Sequence, residues 1–90
     1  MIDPTTREVL VGGRPVEVTA REFGILEALG RRSPAVVLRR SIALNAWPEE
    51  ADAVGSNTID VHIARLRAKL ARSDARIETV RGAGYRLVGP

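Results

Sequence analysis

Residues 56–71 carry Ile59, Ile63, Leu66 and Leu70 at spacings of four, three and four. An α-helix turns about 100° per residue, so these four side chains fall on one stripe. Ser56 or Asn57 is placed to cap that helix. Directly behind it come two β-rich runs, 76–80 and 85–88, joined by Arg81, Gly82, Ala83 and Gly84 as a hairpin loop. A chain of 90 residues can bury one core and little more. The long helix and the terminal hairpin must therefore close over the same apolar interior.

The upstream half supplies the rest of that interior. Residues 7–11 and 14–18 are β-rich runs around Gly12 and Gly13, which permit the positive φ angles of a tight turn. Such a two-stranded ribbon is unstable alone and must pack on something else. Thr19 followed three residues later by Glu22 forms a capping box. It predicts a helix over 20–31, with Phe23, Leu26 and Leu29 buried and with Gly30 and Pro34 marking its end. Residues 36–38 read as extended, and 39–47 as a short second helix stopped by Pro48. Residues 48–55 read as an acidic loop with Glu49, Glu50 and Asp52. The predicted fold is one α+β domain over 1–90, a winged helix-turn-helix. It has an N-terminal antiparallel β-sheet (strands about 7–18), three helices and a C-terminal β-hairpin wing (about 76–88).

An apolar fraction of 44% and a charged fraction of 28% describe a globular chain rather than a disordered one. No apolar run approaches a membrane span, and the first four residues lack the basic and apolar regions of a signal peptide. A cytoplasmic location fits. With no cysteine there is neither a disulfide framework nor a thiolate metal site, and the single histidine, His62, excludes a multi-histidine one. No phosphate-loop glycine pattern and no carboxylate pair in a recognisable site supports catalysis. The expectation is a non-enzyme without metal or cofactor.

Charge is distributed unevenly. Residues 1–55 carry 7 basic and 8 acidic groups, whereas residues 56–90 carry 7 basic and 3 acidic groups, so all of the net +3 resides in the second part. That asymmetry is compatible with a polyanion partner and equally with an ordinary solvated basic face.

On the long helix, Thr58, His62, Arg65 and Lys69 repeat the apolar spacing roughly a quarter turn away. An α-helix fits the DNA major groove, where arginine pairs with guanine edges and a threonine methyl meets thymine. Arg67 and Arg72 lie on other faces and suit phosphates. The same pattern would also result from the solvated face of any amphipathic helix. Arg81 heads a glycine-rich loop narrow enough to enter a minor groove, or simply turns in solvent. Tyr85 and Trp47 are core residues or offer an OH and an NH to phosphate. Asp60 reads as a favourable acid in the first helical turn.

These segments resemble a known family. The stretch NTIDVHIARLRAKL (57–70) is similar to the recognition helix of the OmpR/PhoB-type effector domains of bacterial two-component response regulators, and ETVRGAGYRL (78–87) resembles their wing. TAREF (19–23) with Leu26 resembles the first-helix signature, and Trp47 the tryptophan that ends the second helix. The resemblance implies sequence-specific binding of double-stranded DNA, with the third helix in the major groove and the wing in the adjacent minor groove. By motif position, Thr58, Val61, His62 and Arg65 would meet bases or nearby phosphates. Asn57, Arg67 and Lys69 would lean toward the backbone, Arg81 would be the wing contact, and Tyr85 would brace the wing or touch phosphate. The 48–55 loop corresponds to a segment that family members present to RNA polymerase. The family binds direct repeats as head-to-tail dimers under control of a phosphorylated receiver domain, and the isolated domain is expected to be a monomer.

The sequence departs from the family at several points. Ala64 stands at an often basic position, and Leu38 where a serine or threonine often caps the second helix. The 34–47 segment is one residue short, and most of the family's first strand is missing. No receiver domain is present, so the chain reads as a fragment of a longer regulator or as a free-standing effector domain. A second function class remains, a winged helix that docks on a protein without reading bases. Such a module has no need of basic residues on both the long helix and the hairpin.

Overall fold

Thr19 and Glu22 start the first helix as their spacing predicts. In the computed structural model, which describes residues 2–3, 8–11 and 13–89, helix α1 spans Ala20–Arg32. The Glu22 amide donates to Thr19 Oγ1 at 3.2 Å and the Thr19 amide to Glu22 Oε1 at 2.9 Å. Two otherwise orphaned amides are thereby satisfied. The helix passes Gly30 and stops at Ser33, whose amide donates to the Gly30 carbonyl. Phe23, Leu26 and Leu29 are buried as expected, and so is Ile25, because α1 is covered on more than one side.

Helix α2 (Arg39–Ala46) begins at Leu38, which gives no side-chain cap, as its apolar character requires. Trp47 ends it and Pro48 follows. Helices α1 and α2 meet at Gly24, where a Cβ would lie 2.8 Å from the Ala46 Cα. Only glycine allows that approach. Asn45 Nδ2 fastens the crossing by donating to the Gly24 carbonyl at 2.6 Å and to Glu27 Oε1 at 3.1 Å.

Helix α3 spans Ser56–Lys69, with Leu70 as its C-cap. Its N-cap is Gly55, without a side-chain hydrogen bond, rather than Ser56 or Asn57, both of which lie inside the first turn. Ile59, Ile63, Leu66 and Leu70 are all buried, as the stripe predicts. The preceding acidic loop folds into a single 3₁₀ turn, Ala51–Ala53.

Strands β1 (Ile2–Asp3), β2 (Glu8–Val11) and β3 (Arg14–Val16) form an antiparallel sheet in that order, with Val9 opposite Val16. The expected first run began at Arg7 and turned at Gly12; both lie outside the described residues. The second run was expected to reach Val18 but pairs only to Val16. At the other end, β5 (Arg76–Val80) and β6 (Gly84–Val88) form the wing hairpin. Its third strand, β4 (Val37–Leu38), pairs with β6 in the order β4-β6-β5. The sequence showed that segment as extended but not where it pairs. One core unites the elements, with Ile25, Leu29, Val37, Ile42, Ile63 and Leu66 its most enclosed apolar side chains. Burying each such side chain stabilises the fold by about 1.5–3 kcal/mol. The architecture is the expected α+β winged helix-turn-helix, with a three-stranded rather than two-stranded wing sheet.

Candidate nucleic-acid interface

Burying the Ile59–Leu70 stripe turns the opposite face of α3 outward. Asn57, Thr58 and Arg65 are exposed there, together with Val61, an apolar side chain left 49% accessible. Among the described residues Arg65 makes no ion pair or hydrogen bond, so its guanidinium is free to meet an external acceptor. His62 is half-buried at the edge of this face. Its Nδ1–H donates to the Thr58 carbonyl at 2.8 Å, since a carbonyl only accepts. The ring stands edge-on to Trp47, with centroids 5.1 Å apart and planes at 88°. Arg21 covers the same indole at 5.5 Å.

Two expected backbone contacts are held differently. Lys69 does not extend the outward stripe with its charge, because Nζ pairs with Glu22 Oε1 at 2.5 Å and Glu22 is 1% exposed. Burial alone would raise the Glu22 carboxyl. The hydrogen bonds from Lys69 and the Thr19 amide, with the positive charge of Lys69, outweigh burial and hold it below its ordinary value. Arg67 folds onto the wing: its Nε and Nη2 donate to the Ile77 carbonyl at 3.0 and 2.9 Å, and Nη2 reaches Thr79 Oγ1 at 2.8 Å. A buried carboxylate and an open strand carbonyl capture these two cations inside the domain. Both residues remain exposed, but the head groups that were expected to lean toward a polyanion backbone already have partners in the domain.

The wing presents Arg81, exposed and without a partner among the described residues. Next to it, Gly82 has φ +76°, a conformation that L side chains rarely adopt, and the Ala83 amide closes the turn on the Val80 carbonyl at 3.0 Å. Behind the tip, Tyr85 is buried and its hydroxyl donates to Asp60 Oδ1 on α3. Burial and this carboxylate together push the phenol up. The Tyr85 hydroxyl is therefore already engaged within the domain. Arg39, at the start of α2, lies over the Tyr85 ring at 5.0 Å, and its Nη2 is 3.7 Å from Asp60 Oδ1. Arg67 reaches the same ring at 5.9 Å. Nothing in the sequence singles out Arg39, and Asp60, expected in the first turn of α3, is instead its fifth residue, past that turn. Both gain their roles from partners far along the chain, which local patterns do not report.

The acidic loop is partly neutralised. Arg40 pairs with Asp52 at 2.6 Å and Arg21 with Glu50 at 3.3 Å, leaving Glu49 exposed. Among the described residues no group of acids and histidine is arranged to hold a metal ion, and no helix is long and apolar enough to cross a membrane.

This arrangement matches known proteins. A family model described as "Transcriptional regulatory protein, C terminal" matches residues 13–87. The chain is 39% identical to the sensory transduction protein RegX3 of Mycolicibacterium smegmatis, over 98% of this chain and 40% of that protein. It is 42% identical to the transcriptional regulatory protein QseB of Escherichia coli O157:H7, over 97% of this chain and 38% of that protein. The chain thus spans about two fifths of the length of these curated relatives. Among solved structures, the RstA DNA-binding domain of Klebsiella pneumoniae in complex with the RstA box superposes with a TM-score of 0.79 at 32% identity, covering 97% of this chain and 88% of that one. With a model match over most of its length and relatives this similar, the chain belongs to the family of C-terminal domains of transcriptional regulatory proteins, of the OmpR/PhoB type.

Proposed function

We propose that this domain binds duplex DNA sequence-specifically and serves as the effector of a phosphorylation-controlled response regulator. The observation that carries the reading is the pair Arg65 and Arg81. Both are exposed and uncompensated, on two elements that a shared core holds in fixed relation. A helix in the major groove with Arg65, Thr58, Val61 and His62 at base edges places specificity in α3. Asn57, in the first turn, is suited to a phosphate. Arg81 enters the adjacent minor groove, where narrow A/T-rich segments concentrate negative potential. Arg67, Lys69 and Tyr85 then support the interface from behind. The RstA domain solved on its DNA box supports the reading by likeness.

The partners of the whole regulator follow the same reading: direct-repeat operators occupied by a head-to-tail dimer, RNA polymerase met through the 48–55 loop, and a receiver domain elsewhere in the full-length protein. The isolated domain is a monomer, and the regulator acts in the cytoplasm.

The test is fluorescence anisotropy on a randomised duplex pool, with selection of the bound fraction and a salt titration. The expected result is enrichment of a short direct repeat and a steep loss of affinity with salt as counterions are released. Salt-dependent binding without enrichment would refute base reading by this domain. Absence of binding at low salt would refute the DNA assignment and favour a protein-docking winged helix.

A further inference from the structure

We infer that Asp60 is a positioning residue that locks the wing to helix α3 through the Tyr85 hydroxyl, so that Arg65 and Arg81 engage DNA as one rigid unit. The inference rests on the DNA-binding reading above and extends it to how the two contacts are coupled.

An acid on the outward part of α3 is costly for a protein that approaches phosphates, because its charge repels them. Asp60 is the fifth residue of α3, past the first turn, so interaction with the helix start does not account for an acid there. What this face adds is Tyr85. Its ring is buried beneath the wing, and its hydroxyl reaches out to Asp60 Oδ1. Tyr85 lies on β6, four residues past Arg81, so the hydrogen bond joins the strand that carries the wing to the helix that carries Arg65. Arg39 completes the lock. Its Nη2 stands 3.5 Å from the Tyr85 hydroxyl and 3.7 Å from Asp60, which offsets the acid's charge on the DNA-facing side. Arg39 Nε is buried without a hydrogen-bond partner, so the guanidinium is oriented by its outer nitrogen and by the Tyr85 ring. Arg67 makes a parallel tie from α3 to β5 through Ile77 and Thr79. That tie holds β5 at Ile77 and Thr79. Thr79 pairs directly with Tyr85, so the Asp60–Tyr85 bond holds the same rung from the other strand, one residue from Gly84 and the loop.

Three variants separate this role from simple structural support. Tyr85→Phe removes only the hydroxyl. Asp60→Ala removes the acceptor at a position 47% exposed, where truncation does not open the core. Asp60→Asn keeps an oxygen that accepts from Tyr85 but gives up the charge seen by Arg39. Each is made alone and combined with Arg81→Ala, and binding is measured on the enriched duplex and on random DNA. In parallel, ¹⁵N relaxation of the amides of residues 81–83 is recorded without DNA.

The expected result is that Tyr85→Phe and Asp60→Ala each weaken specific binding about threefold to tenfold, the scale of one hydrogen bond. In those backgrounds Arg81→Ala should cost little more, and the wing-tip amides should become more mobile. Asp60→Asn should retain both the coupling and the rigid tip. An unchanged Arg81→Ala penalty with unchanged wing relaxation in Tyr85→Phe would overturn the lock. Asp60→Asn behaving like Asp60→Ala would overturn the hydrogen-bond route in favour of the ion pair with Arg39. Should the parent domain fail to bind any sequence specifically, the function reading falls, and the relaxation data still decide the lock.

Discussion

Lys69 Nζ and Glu22 Oε1 lie 2.5 Å apart and join the last turn of α3 to the first turn of α1. The same carboxylate oxygen accepts the Thr19 amide at 2.9 Å. The residue that starts the first helix thus also anchors the end of the third. A capping box ordinarily sits in solvent and contributes about 0.5–2 kcal/mol. Here Thr19 stays exposed but Glu22 is buried, and its carboxylate depends on a cation from another helix.

Lys69→Met should therefore destabilise the domain by about 1–3 kcal/mol near neutral pH, because a buried carboxylate loses one of its donors. The pH dependence has a definite sign. In the parent chain Glu22 is held below its ordinary value, so its contribution is present above the unfolded value and is lost as pH falls through the lowered folded one. In the variant the remaining burial favours the neutral acid. The deficit should narrow as the medium is acidified below the ordinary carboxyl range. Urea midpoints at pH 7 and pH 4 measure this; an equal deficit at both would contradict a charged Glu22.

Much of this architecture was legible in the sequence because it rests on local rules. The Thr19–Glu22 box and the Ile59–Leu70 stripe each depend on residues a few positions apart. The wing hairpin announced itself through its glycines. The pairing of Val37 and Leu38 with β6 was not legible, since two residues of strand carry no period. Nor were the inward turns of Lys69 and Arg67. Helical spacing gives a side chain's direction at its base, whereas long cations swing several ångströms to whatever acceptor the fold brings near. Of the outward stripe Thr58, His62, Arg65 and Lys69 that spacing predicts, Thr58 and Arg65 are exposed and free of a charged partner, His62 is half-buried and Lys69 turns to Glu22, while Asn57 and Val61 enter the contact set only through the family resemblance.

Gly84→Ala should be strongly destabilising. A Cβ at Gly84 would stand 2.1 Å from the Val37 carbonyl oxygen and 3.0 Å from the Leu38 Cα. The obstacle is backbone, so relief requires β4 to move off β6. Overpacking of this kind costs about 1–3 kcal/mol and sometimes more. For a domain of this size that lowers Tm by roughly 4–8 °C per kcal/mol. Differential scanning calorimetry gives the answer directly. An unchanged Tm would mean that β4 and β6 are farther apart than described.

Arg81→Ala should leave Tm nearly unchanged while weakening DNA binding, since the side chain is exposed and unpaired among the described residues. The loss should be greatest on operators with A/T-rich flanks, where the minor groove is narrow. Anisotropy titrations on matched A/T-flanked and G/C-flanked duplexes test it. Equal affinity for parent and variant on the A/T-flanked duplex would remove the wing from the interface.

Arg65→Ala should act on specificity rather than on general affinity. Arg65 projects from the outward face of α3, and no carboxylate within the described residues claims its guanidinium. A bidentate arginine–guanine contact contributes about 1–3 kcal/mol of discrimination. The variant should lose roughly tenfold or more on the selected duplex but little on random DNA. In repeat selection, preference should relax at one position of each half-site and persist elsewhere. An arginine serving only as a phosphate contact predicts something different: losses of the same factor on both duplexes, and a salt slope reduced by about one. Selection and salt titration on the same variant therefore distinguish a base-reading α3 from one that merely lies along the backbone.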